Sequence, residues 1–163
     1  MGAFVRTPMT LAEFLAWEER QEFKYEFDGF SPVAMTGDTT EHNRISLNLT
    51  SMLRERLRGT KCQPFGSDMK IEVAGHIRYP DAIVVCRDYP RGPTVSSRYQ
   101  EYRDTPSIRH YVMLEQDFVG AQVFSRSDAK WAGVPIADHG VISLPDIDIE
   151  LPMAELYEGV ALG

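Results

Sequence analysis

The sequence predicts a single α/β, or α+β, domain in which helices flank a twisted mixed sheet. Three observations predict it. Ile45, Leu49, Met52, Leu53 and Leu57 fall on one stripe at helical spacing. Apolar and polar residues alternate strictly around Tyr25 and again around Ile71, the period of a half-buried strand. The helical and extended segments are interleaved along the chain, so they must share a core. With 163 residues, the chain suffices for one domain with a real core and is short for two.

The first helix opens at "MTLAEF". Thr10 can cap it, and Glu13, three residues on, completes a capping box. Met9 and Phe14 have the spacing of a hydrophobic staple, and the helix is expected to run to about Arg20. In "FKYEFDGF", Phe23, Tyr25 and Phe27 alternate with Lys24, Glu26 and Asp28, which predicts a strand with Glu26 on the face opposite the aromatics. Asp28-Gly29 is a turn signal, and "SPVAM" reads as the return strand.

The second helix carries the apolar stripe. Asp38 or Thr39 can cap it and Gly59 can stop it. Its other side presents Arg44, Arg54 and Arg58, a basic surface on an acidic protein. "DMKIEVAGHIRYPDAIVVC" reads as two strands joined at Gly75-His76, with Ile83, Val84 and Val85 continuous as in a covered central strand. "SSRYQEYRDTPS" predicts a short helix ending before Pro106. "IRHYVMLEQ" and "GAQVFSR" read as a strand pair, and "VISLPDIDIEL" as one or two edge strands. "MAELYEG" closes with a helical turn.

Composition sets outer limits on function. No apolar run is long enough to span a bilayer, and the N-terminal stretch lacks a signal peptide's apolar core, which points to a cytoplasmic protein. Cys62 and Cys86 form no C-x-x-C pair, so two buried free thiols are expected in a reducing compartment. The four histidines are scattered, which argues against a zinc site. The net charge of −7 argues against a protein coated in nucleic acid, though it leaves room for a local basic face.

The chain has no Gly-rich phosphate loop, no G-x-S-x-G and no H-E-x-x-H; a Ser-His-Asp site is neither indicated nor eliminated. What remains is acidic residues on strands: Glu26, Asp68, Glu72 and Asp81. Hard divalent cations take oxygen ligands, and magnesium uses one or two carboxylates with water and substrate phosphate. Such an ion can activate water and offset charge on a phosphodiester. Spacing alone leaves Asp81, after Pro80, with two readings: an exposed strand start or a carboxylate that holds an ion. Glu26 reads equally well as the polar side of a strand. Lys70, between Asp68 and Glu72, reads as part of a solvent-facing charge cluster. His42, near the head of the second helix, is a surface residue or a proton carrier. Asp146, Asp148 and Glu150 alternate with Ile147, Ile149 and Leu151 as on a solvent-facing edge strand.

The fragments "MTLAEFLAWEE", "KYEFDGF", "AMTGDTTEHNRISLNLTSMLRERLRG", "GSDMKI", "YPDAIVVC", "YRDTPSIRHYVMLEQ" and "LPMAELYEGV" follow one another in an order that resembles the Uma-type restriction endonuclease family. That family belongs to the restriction-endonuclease-like, or PD-(D/E)XK, superfamily. The resemblance implies a mixed central sheet flanked by helices with a metal site at one end. It also implies a hydrolase: an endonuclease that cleaves DNA phosphodiester bonds with Mg²⁺ or Mn²⁺, active as a homodimer, since such nucleases often cut as pairs. Residue by residue, Asp81 matches the acid of the "PD" motif, Glu26 the early "YE" acid, and His42 the histidine at the head of the second helix. Asp81 and Glu26 are then the expected metal ligands, with His42 expected to position water or shuttle a proton; Lys70, which the resemblance does not match, is expected to complete the catalytic set by offering positive charge toward the phosphate.

One departure bears on this expectation. Family members continue from the "PD" strand into a second core strand, roughly "EVLS", and then to a basic residue. Here "CRDYPRGPTV" runs directly into "SSRYQEYRDTPS". The second strand, its glutamate and the usual lysine are not visible. Arg98 falls near the lysine position but stays protonated. Either the chain as written lacks residues between Val95 and Ser96, or a true deletion left a degenerate module that binds nucleic acid or itself without cutting. Loss of a central strand would expose ladder groups and remove much of the core, which favours the first.

Overall fold

The computed structural model describes residues 7–35, 37–73, 75–86, 98–99 and 108–162. Helix α1 is Leu11–Glu18. The expected capping box is present: the Thr10 side chain accepts from the Glu13 amide at 3.2 Å, and Glu13 accepts from the Thr10 amide at 2.7 Å. Phe14 is completely buried and Met9 packs on its cluster, as the staple requires.

Strands β1 (Tyr25–Phe27) and β2 (Pro32–Ala34) form the expected antiparallel hairpin. Its turn holds Gly29 at φ +86°, and a Cβ there would come within 2.8 Å of the His76 ring, so glycine is required twice over. Phe23 departs from the expected alternation: it precedes the strand, in a bend after α1, and is 71% exposed.

Helix α2 (Thr40–Arg56) is capped by Thr39, whose side chain accepts from the His42 amide at 3.1 Å. Ile45, Met52, Leu53 and Leu57 are buried on its predicted face, and Leu49 packs against the same core. Strands β3 (Gln63–Gly66), β4 (Ile71–Val73), β5 (His76–Arg78) and β6 (Ala82–Val85) follow. The segment expected as two strands therefore holds three, because Pro80 and Asp81 break the run between β5 and β6. Strand β6 is half-buried rather than fully covered and pairs with β3.

Strand β7 (Arg98–Tyr99) pairs in parallel with β4. This corrects the predicted helix at those two residues; the rest of that prediction, from Ser96 to Ser107, lies outside the described residues. Strands β8 (His110–Leu114), β9 (Gly120–Ser127) and β10 (Lys130–Ala137) form an antiparallel meander. Strands β11 (Val141–Leu144) and β12 (Ile149–Pro152) pair across a 3₁₀ turn, Pro145–Ile147. That turn corrects the expected continuous alternation: Asp146 lies in it, and Asp148 follows at φ +54°. Helix α3 (Met153–Leu156) closes the chain as expected.

The result is an α+β fold. Its five-stranded sheet, in the order β2-β1-β5-β4-β7, is mixed through the β4–β7 pair. Pro32 sits in edge strand β2, where a missing donor costs least. Among the described residues, two apolar clusters form. One gathers Phe14, Phe27 and Ile77, where α1 lies on β1 and β5. The larger joins α2 to β9, β11, β12 and α3 through Leu53, Val123, Ile142, Leu151 and Leu156.

The cysteines require a correction. Cys62 and Cys86 form a disulfide rather than two free thiols. The cause is register: Gln63 pairs with Val85, so continuing the β3–β6 ladder by one residue sets Cys62 opposite Cys86. Among the described residues, no helix is long and apolar enough to cross a membrane.

Candidate functional site

Three of the predicted residues, Glu26, His42 and Asp81, meet the β5–β6 connection from elements of both clusters. His42 occupies the first turn of α2, fixed there by the Thr39 cap. Thr39 also donates to the Gln116 side chain at 3.1 Å, which ties the head of α2 to the end of β8. Asp81 immediately precedes β6. The His42 Nε2 lies 3.0 Å from Asp81 Oδ1 and 3.7 Å from Asp38 Oδ2. The Asp81 side chain is 52% exposed, so it is reachable from solvent while one oxygen is held. Its position near the α2 N-terminus also suits a negative charge, since the helix dipole is positive there.

Glu26 projects from β1 on the side opposite Phe27, as alternation predicts. Its Oε1 accepts from the Tyr79 amide at 3.2 Å, and its Oε2 lies 3.4 Å from Arg78 Nη1. Glu26 thus reaches the connection two residues before Asp81. The structure brings His42 and Asp81 into direct contact and sets Glu26 on the same connection.

Lys70 goes elsewhere. Its ammonium lies 3.1 Å from Glu18 Oε2, and Glu18 is buried, with 7% of its surface accessible. The other Glu18 oxygen accepts from the Tyr79 hydroxyl at 2.5 Å. Burial, first, and the neighbouring Glu18 carboxylate raise the Tyr79 phenol far above its ordinary pKa, so it remains a proton donor. Sequence reasoning missed both Glu18 and Tyr79. Glu18 looks like any charged residue at a helix end, and its partners lie 52 and 61 residues away.

Two other features bear on chemistry. His110 Nδ1 lies 3.0 Å from Ser125 Oγ, and its Nε2 lies 3.2 Å from Asp146 without hydrogen-bond alignment. Ser125 shares the core-facing side of β9 with Ala121 and Val123, so this trio reads as a tie between the β8–β9 pair and the β11–β12 hairpin. A cavity of about 350 Å³, lined by Val119, Asp138, His139, Met153, Ala154 and Tyr157, shares no residue with the Asp81 site.

The family model described as "Putative restriction endonuclease", Uma2, matches residues 11–101, which include Glu26, His42, Lys70 and Asp81. The chain belongs to the Uma2 family. Two relatives come from Synechocystis. "Uncharacterized protein slr1290" is 25% identical, covering 91% of each chain, and "Uncharacterized protein sll1609" is 23% identical over 76% of this chain and 84% of its own. The first alignment spans 173 residues, more than the 163 of this chain, so that relative carries residues within the matched region that this one lacks. Among solved structures, one from Anabaena variabilis, described as "a putative nuclease belonging to DUF820", superposes with a TM-score of 0.74 at 12% identity, over 94% of this chain and all of the other. At that identity the likeness establishes a shared fold.

The donor set can be tested against the divalent ion that restriction-endonuclease-like proteins generally use. Among the described residues, no three His, Cys, Asp or Glu side chains converge as a ready cluster. Magnesium does not need one: one or two carboxylates with water and phosphate oxygens suffice. Asp81 supplies a half-exposed hard donor, and Glu26 accepts from the Tyr79 amide with one oxygen while the other meets Arg78 at the long limit of a hydrogen bond. Both are hard oxygen donors of the kind the ion takes.

Proposed function

We propose that this Uma2 chain is a divalent-metal-dependent endonuclease that hydrolyses DNA phosphodiester bonds. The observation that carries the reading is the 3.0 Å contact between His42 and Asp81 at the head of α2, on the connection that also receives Glu26. In this reading Asp81 and Glu26 are the metal-holding carboxylates. Bound Mg²⁺ or Mn²⁺ would lower the pKa of a water and offset charge building on the phosphate. His42, oriented by Asp81, holds or moves a proton at Nε2. Arg44 and Arg54 are exposed on α2 and Arg58 in the turn that follows it, cations suited to phosphate oxygens. Lys70 acts through Glu18 rather than on the substrate.

The test is cleavage of supercoiled plasmid with Mg²⁺ or Mn²⁺ by the wild type and by Asp81→Ala. Nicking or linearisation by the wild type alone supports the reading; an inert wild type, or equal cleavage by the variant, defeats it. A second reading has its own support. The sequence runs from "CRDYPRGPTV" into "SSRYQEYRDTPS" with no second strand or glutamate between them, and the alignment with one relative opens gaps in this chain. On that reading it binds DNA without cutting, and its salt-sensitive binding would be indifferent to metal and to Glu26→Ala.

A further inference from the structure

Glu18 is placed where neither helix energetics nor solvation favours a carboxylate. It ends α1, where the dipole is negative and no basic residue occupies the last turn. It is also buried, and a buried charge costs several kcal/mol unless paired. Its compensation comes from two other elements. Lys70 stands just before β4, and Tyr79 just after β5, so Glu18 pins α1 to the open end of the β4–β5 hairpin. Tyr79 is held from three sides: its hydroxyl by Glu18, its amide by Glu26, and its ring under Lys24 at 5.6 Å. Pro80 and Asp81 follow directly.

We propose that Glu18 is a positioning residue of the nuclease site. By fixing the Tyr79 hydroxyl, with Lys70 balancing its charge, it sets the Tyr79 amide against Glu26 and fixes where the chain delivers Asp81 to His42. This inference rests on the nuclease reading for its consequence, but its geometry stands on its own contacts. Groups that orient a metal-holding carboxylate from behind typically change metal affinity or activity by about 10- to 100-fold when removed.

The test compares wild type, Glu18→Ala and Tyr79→Phe. Glu18→Ala strands Lys70 beside a lost partner and can loosen the whole edge. Tyr79→Phe keeps the Glu18–Lys70 pair and the ring, so it carries the result. Three quantities are read: Mn²⁺ affinity by calorimetric titration, kcat against KM for plasmid cleavage, and amide exchange at residue 79 against the α2 amides. The expected result for Tyr79→Phe is Mn²⁺ affinity and kcat each lower by about tenfold, KM unchanged, and faster exchange at residue 79 with α2 unaffected. A variant with wild-type Mn²⁺ affinity and kcat overturns the inference while leaving the nuclease reading intact, whatever happens to Tm. If the wild type neither binds Mn²⁺ nor cuts, the nuclease reading has failed, and exchange alone decides: faster exchange at residue 79 upholds the positioning, and wild-type protection overturns it.

Discussion

Replacing His42 by alanine should separate stability from chemistry. The contact with Asp81 is short, at 3.0 Å, but the two side chains are 29% and 52% exposed. Solvent screening limits such a pair to about 1 kcal/mol or less. The Thr39 cap receives the backbone amide of residue 42, so it survives the substitution. Alanine also gains roughly half a kcal/mol of helix propensity over histidine. The net change is close to zero, and for a domain of this size Tm should move by no more than about 4 °C. A proton-handling side chain, by contrast, is worth about 10²- to 10⁴-fold in rate. Scanning calorimetry and metal-dependent plasmid nicking on the same preparation read both quantities. Nicking within about threefold of wild type would refute a chemical role for His42. A fall in Tm beyond about 8 °C would show that the pair is structural.

Three further predictions concern the scaffold. The Cys62–Cys86 bond closes a separation of 24 residues, so reduction should cost about 3 kcal/mol, read as a lower urea midpoint with dithiothreitol; thiol titration of the oxidised, denatured chain should find no free cysteine. Phe14→Ala should cost about 3–5 kcal/mol, because the ring is fully buried and stacked on Phe27 at 4.9 Å; a cost below about 1 kcal/mol would contradict its place in the core. Burial raises the Tyr79 and Tyr157 phenols above their ordinary value of 10.0. A raised folded pKa contributes stability that is complete below pH 10 and is lost as pH rises further, because the unfolded chain releases these protons first. Denaturation midpoints should therefore fall above pH 10, and Tyr79→Phe should flatten part of that slope.

The features legible in the sequence were local ones. The Thr10–Glu13 box, the Thr39 cap and the α2 stripe each depend on residues within a few positions, and each formed as read. Strand β10 was not legible, since Gly133 and Pro135 are residues that strands disfavour and only pairing with β9 holds them extended. The 3₁₀ turn at Pro145–Ile147 hid inside the alternation of Asp146, Asp148 and Glu150 with their apolar neighbours, although two edge strands were among the expected arrangements. The cysteines were misread because nothing local gives the β3–β6 register. The His42–Asp81 contact spans 39 residues; spacing left both residues ambiguous, and only the family resemblance joined them. Glu18 and Tyr79 carried no such signal, because burial and partners arise only once α1 lies on the sheet.

The direct measurement of the central claim is a calorimetric Mn²⁺ titration of the wild type against Asp81→Asn, which keeps the side chain's shape and removes its charge. The wild type should bind at a single class of site, and the variant at least tenfold more weakly. Equal binding by the two proteins, or none by either, would contradict the claim.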